Sequence, residues 1–206
     1  MIPMALRVFT MICLPVLLGG CLVAHQPAED PWASLRQADG TVTWMEELNF
    51  IPPPEPWRLL DLSETDFSLA FFNSCTSDDP GHFPCEATIA YAGEPFGYSQ
   101  ELRLRQKEFF KRFLWAARLI FEEPKLEEAS LDGRKALIAT TTGQELVSGH
   151  RVQTKVIFVQ RGERVEAFFM NQWRSKDKSF DPAEFEVFDR FVSTFKYKKP
   201  SFYESL

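Results

Sequence analysis

"RVQTKVIFVQRGERVEAFFMNQW", residues 151–173, decides the fold. β-branched and aromatic residues crowd two runs, Arg151 to Gln160 and Arg164 to Trp173, and a turn at Arg161-Gly162 joins them. That spacing predicts a β-hairpin. Val152, Val156 and Phe158 fall on one face, with Ile157 and Val159 on the other. Both faces are apolar, so both must be covered.

Upstream, Asp132-Gly133 is a turn signal between "KLEEASL" (125–131) and a Thr-rich strand over 136–142. Earlier strands are expected over 57–62, 66–74 and 85–93, the last with Ala87, Ile89 and Tyr91 on one face. A long helix is expected from Ser99 to Phe121, with Leu102, Phe109, Phe113, Ala116, Ala117 and Ile120 at helical spacing. Arg103, Lys107, Lys111, Arg112 and Arg118 cover its other faces, but acids at 101, 108, 122 and 123 dilute that basic face, so a helix packed on the sheet is expected rather than one lying on a membrane.

Downstream, Asp181, Pro182 and Glu184 read as N-cap, first turn and capping box, with Phe180 and Phe185 as a hydrophobic staple. Phe185, Phe188, Phe191, Val192 and Phe195 then form a stripe that belongs in a core. The fold class is α+β: an antiparallel sheet with one long central helix and a C-terminal helix packed on it.

The N-terminus carries a separate message. An apolar run from Val8 to Leu18 suits a signal peptide and is too short to span a bilayer, which takes roughly 20 apolar residues. "LGGC" (Leu18, Gly19, Gly20, Cys21) resembles the bacterial lipobox. The resemblance implies removal of residues 1–20 and lipidation of Cys21 as the new first residue. The competing reading is an uncleaved signal anchor with Cys21 buried. Leu22, where an aspartate would resemble an inner-membrane retention signal, favours the outer membrane facing the periplasm in a cell with two membranes. Residues 21–40 read as a flexible tether, and 41–206 as one domain. "IPPPEPW" (51–57) is expected as a rigid polyproline entry with Trp57 against the core; a ligand for a proline-binding domain is the lesser reading.

Cysteine usage agrees with export. Of four cysteines, Cys13 lies in the segment to be removed and Cys21 would be lipidated. Cys75 and Cys85 remain, with Asp-Asp-Pro-Gly between them, and a disulfide is expected. A metal set of Cys75, Asp78, His82 and Cys85 lacks the CxxC spacing of a zinc knuckle.

The formal charge is −6, and losing residues 1–20 removes Arg7 and no acid, taking it to −7. That charge argues against nucleic acid as a partner. No catalytic residue, metal or cofactor is expected. Ser148 and His150 lack a nucleophile elbow, and Glu122/Glu123 and Glu127/Glu128 read as solvated pairs.

The order of elements resembles the PsbP-like and DcrB-like families, together with "LDGRKALIATTTG", the hairpin above and "FDPAEFEVFDRFVSTFKY" (180–197). The likeness is best over 131–197, and Pro56-Trp57 is also similar. It implies a non-enzymatic envelope or lumenal protein that binds or assembles other proteins; taken with the lipobox, the expected function is a membrane-anchored envelope interaction module. The alternative is a carrier of a lipid or small hydrophobic ligand in a cavity between sheet and helix.

Overall fold

The computed structural model describes residues 32–44, 48–59, 69–75, 85–93, 100–117, 119–147 and 149–198, without the side chains of 74, 75, 85 and 113–117. In chain order the strands and helices are β1 (Val42–Trp44), β2 (Leu48–Phe50), β3 (Arg58–Leu59), β4 (Leu69–Cys75), β5 (Cys85–Ala92), α1 (Leu102–Ala117), β6 (Leu119–Phe121), β7 (Lys125–Leu131), β8 (Arg134–Glu145), β9 (Arg151–Arg161), β10 (Arg164–Arg174), α2 (Pro182–Thr194) and β11 (Lys196–Tyr197). Cys21, the rest of 1–31, Ser63 to Thr65, Asp78, His82, Arg118 and Ser148 lie outside the described residues.

The hairpin forms as expected, with Arg161 opposite Arg164 and Arg151 opposite Arg174. Gly162 takes a left-handed φ of 62°, which the tight turn requires. It sits in an antiparallel sheet of order β3-β4-β5-β10-β9-β8-β6, with β7 also paired to β8. A small sheet, β1-β2-β11, lies apart. The Asp132-Gly133 turn has φ of 49° and 77°, as a two-residue hairpin demands.

The alternation of side chains makes two cores. Ala87, Ile89, Tyr91, Ile157, Val159 and Phe168 face one way and meet Phe188, Phe191, Val192 and Phe195, together with Val42 and Phe50 of the small sheet. Ala90, Val156, Phe158 and Phe169 face the other way and meet Phe109 and Phe110 of α1. The sheet is thus covered on both faces, by α2 and the small sheet on one and by α1 on the other. Trp57 is buried in the first core, as expected from the proline-rich entry.

Three expectations need correction. The long helix stops at Ala117, and residues 119–121 turn into β6, paired with Glu145, Gln144 and Gly143. Ile120, expected on the apolar helix stripe, is instead 61% exposed on that strand. Second, residues 32–40 are not tether. Trp32 is only 4% exposed, its ring lies 5.7 Å from Phe50 and 6.1 Å from Phe71, and Arg36 bridges to Val42. An indole gains too much from burial to be left in water.

The third concerns the start of α2. Asp181 does cap it, accepting from the Ala183 N–H at 2.9 Å. Glu184 does not close a capping box: its carboxylate accepts from Arg174 at 2.7 Å, and the Asp181 N–H donates to Gln172 at 2.8 Å instead. Phe180 lies under the Arg151 guanidinium, 5.1 Å from the ring centroid.

Candidate functional site

Where β6 pairs with the end of β8, the sheet edge opens into a cleft of about 620 Å³, lined by Ile120, Phe121, Thr142, Glu145, Leu146, Arg151 and neighbours. Its floor depends on one glycine. Phe121 stands opposite Gly143. A Cβ at Gly143 would lie 2.6 Å from the Phe121 ring and 2.7 Å from the Ile120 carbonyl. The missing side chain lets the ring lie on β8 and meet Phe110 of α1 edge-on, 5.7 Å away.

Glu145 builds the rim. Its buried carboxylate accepts from the Val147 N–H at 3.1 Å, and its backbone N–H donates to the His150 carbonyl at 2.8 Å. The β8–β9 loop closes with Gly149 at a φ of 71°. That closure holds Leu146 and Val147 outward, 64% and 72% exposed, beside Ile120. An apolar corner therefore stands in water at the edge of the sheet. The opposite wall is Arg151, which donates to the Lys178 carbonyl at 2.5 Å and lies over Phe180.

A second polar cluster, at the other end of the hairpin, ties down β11. The Tyr197 hydroxyl donates to Glu166 at 2.6 Å, and Arg161 donates to the same carboxylate at 3.1 Å. The guanidinium carbons of Arg134 and Arg161 lie 4.3 and 4.5 Å from the Tyr197 ring centroid. Burial pushes the Tyr197 hydroxyl above its ordinary value, and the Glu166 carboxylate adds to this. Burial works against the Arg161 charge, but Glu166 overcomes it and holds the guanidinium above its usual range. Glu166 thus accepts from both Arg161 and Tyr197, and the arrangement ties β11 to the hairpin.

The residues singled out from the sequence are scattered. Cys75 and Cys85 stand directly opposite in the β4–β5 register. Glu122 and Glu123 are exposed after β6, where Glu122 accepts from the Thr142 hydroxyl at 2.5 Å. Glu127 and Glu128 are exposed on β7. His150 is half-buried in the β8–β9 loop. Among the described residues, no three His, Cys, Asp or Glu side chains gather to hold a metal, and no helix is long and apolar enough to cross a membrane. Sequence reasoning missed the cleft. Its one available signal was Gly143 inside a strand, a mark of close approach.

No family model matches the chain, and no curated protein matches it. Solved structures do match. Cyanobacterial PsbP from Synechocystis has 11% identity and a TM-score of 0.50, covering 76% of this chain and 91% of its own. The Ran-binding protein Mog1p of Saccharomyces cerevisiae has 11% identity and a TM-score of 0.49, covering 73% and 89%. LpqN, involved in cell envelope biogenesis of Mycobacterium tuberculosis, has 15% identity and a TM-score of 0.43, covering 72% and 82%. At 11% identity the first likeness is one of fold alone: the chain has a PsbP-like fold, a mostly antiparallel sheet with two helices.

Proposed function

We propose that this chain is a lipid-anchored, non-catalytic interaction module of the bacterial cell envelope. Residues 1–20 are removed, Cys21 carries the lipid, and an envelope protein docks at the β6–β8 cleft. In a cell with two membranes, the lack of an aspartate at position 22, where Leu22 stands, favours the outer membrane, facing the periplasm. The observation that carries the reading is the contrast between filled interior and open edge. A carrier would hold its ligand between sheet and helix. Under α2 that space holds Phe50, Phe168, Phe191 and Phe195, with ring centroids 4.6 to 6.3 Å apart. Under α1 it holds Phe109, Phe158 and Phe169, 5.5 to 5.6 Å apart. Exposed apolar surface instead gathers at Ile120, Leu146 and Val147, which is the composition of a protein contact.

A photo-crosslinking residue at Leu146, with one at Glu186 on the exposed side of α2 as control, tests this in intact membranes. The reading expects one discrete protein adduct from Leu146 and none from Glu186. Native mass spectrometry that finds a bound lipid beyond the anchor, with no Leu146-specific adduct, would favour the carrier and overturn it.

A further inference from the structure

We propose that β7 is a self-docking edge: two copies of the chain pair their β7 strands antiparallel about a two-fold axis at Ala129 and join their sheets into one. The proposal stands on strand register and charge and does not rest on the envelope reading above.

The register decides which backbone groups of β7 are already used. Opposed residues in an antiparallel ladder alternate between hydrogen-bonded and non-hydrogen-bonded pairs. The Glu122 N–H donates to the Thr142 carbonyl at 2.8 Å, so the even-numbered residues of β8 bond toward this edge. The two-residue turn at Asp132-Gly133 sets the same phase, with Leu131 opposite Arg134. Lys125, Glu127, Ala129 and Leu131 therefore bond to β8, and the backbone N–H and C=O groups of Leu126, Glu128 and Ser130 point away from it. Among the described residues, none bonds to those outward groups. Sheet edges are commonly blunted by shortness, a proline or a bulge. β7 uses none of these: it pairs with β8 in unbroken register from Lys125 to Leu131, and Pro124 lies outside it. Its remaining defence is charge, and the charges are what select the occupant.

Three antiparallel registers keep most of β7 in a ladder with a second copy. Full overlap sets Glu128 against the second copy's Glu128. A slide of two residues one way sets Glu127 against Glu127. Like charges directly opposite are destabilising, so both registers are disfavoured. The slide the other way brings Ala129 against Ala129 on the axis, where opposed Cα atoms come closest and small side chains fit. Glu128 then meets the second copy's Ser130, and Glu127 meets Leu131. Lys135 stands opposite Ser130 on β8, so the second copy's Lys135 faces Glu128 across that small side chain. These groups share one face of the sheet. Leu126 and Leu137 pack on the α1 core, and Glu128, Ser130 and Lys135 follow them at period 2. Glu128 keeps its bond to Arg103 of α1 at 3.1 Å and is still 80% exposed at its side chain, and Ser130 and Lys135 are exposed. Lys125 falls beside the second copy's Asp132-Gly133 turn, at the end of the ladder. Each contact is made twice by the symmetry, so the interface is isologous and closes on two copies. The cleft stays open, because Gly143 lies about 23 Å along β8 from Ala136, the residue opposite Ala129.

Disulfide crosslinking of the full-length chain, in nonionic detergent and in vesicles, tests the proposal. Ala129→Cys should give a linked dimer, mapped by peptide mass to position 129 of both chains, because the Cα atoms of a non-hydrogen-bonded pair lie about 4.5 Å apart. Glu128→Cys should give no link at position 128, since the two copies of that position lie diagonally about 7–8 Å apart. Glu127→Cys, farther from its own copy, should give none either. The unsubstituted chain controls for the native cysteines. In the Ala129→Cys chain, Ser130→Glu sets an acid against Glu128 on both sides of the axis and should raise the dimer dissociation constant about tenfold. Ser130→Lys should lower it. Circular dichroism matching that of the parent chain shows that each variant is folded. A folded Ala129→Cys chain that gives no link at position 129 overturns the proposal. So does a link at position 128 in place of 129, or a chain that joins position 129 to a different protein. Crosslinking from Leu146 is read separately, so either result can fail without the other.

Discussion

Arg174, at the end of β10, donates to Glu184 in the first turn of α2 at 2.7 Å, and both side chains are buried. The same guanidinium donates to the Glu86 carbonyl at 2.7 Å, so it joins β5, β10 and α2. Burial holds the Glu184 carboxyl above its ordinary value despite the arginine. Arg174→Met leaves that carboxylate buried without its partner and should cost about 3 kcal/mol at pH 7. The cost should shrink at pH 4, where Glu184 takes up a proton. A raised carboxyl value means its contribution is fully present below the unfolded value of 4.5 and is lost as pH rises through the folded one. Glu184→Gln should remove that slope. Urea unfolding at the two pH values checks both variants.

Tyr197→Phe removes the hydroxyl that donates to buried Glu166. A hydrogen bond to a charged acceptor is worth about 2 kcal/mol, and that much stability should be lost. The raised hydroxyl value adds an alkaline signature. Wild-type stability should decline as pH rises beyond the unfolded value of 10.0, and the variant should lack this share of the decline. Thermal unfolding from pH 7 upward measures it.

Gly143→Ala drives a methyl into the Phe121 ring. The ring must leave β8 and lose its edge contact with Phe110. Overpacking of this kind costs about 1–3 kcal/mol. The same variant should weaken crosslinking from Leu146, because the floor of the cleft moves.

The sheet and α2 could be read from the sequence because local signals there agree with the tertiary fold. Period-2 alternation, Asp132-Gly133 and the Asp181-Pro182 start each point the same way. The misreadings have one physical cause, a local pattern outbid by a distant partner. Glu184 stands at capping-box spacing, but Arg174 from another element takes its carboxylate. Ile120 continues a helical period, but the open edge of β8 claims it as strand. Trp32 sits in a polar stretch, but Phe50 and Phe71 leave a place for its ring. The cleft was invisible for the same reason, since Phe121 and Gly143 meet only through strand pairing.

The register that sets Cys75 opposite Cys85 bears on the expected disulfide. Opposed Cα atoms in an antiparallel ladder lie about 4.5–5.5 Å apart, within the range a disulfide bridges. Non-reducing peptide mapping of protein prepared without reductant should recover the two cysteines in one crosslinked fragment. Reduction should lower stability by about 3 kcal/mol.

The intact mass of protein extracted from membranes tests the central claim most directly. The account predicts a chain beginning at Cys21, with residues 1–20 gone and the mass of a diacylglyceryl group, with or without a further acyl chain, added to it. An unmodified chain beginning at Met1 would contradict it.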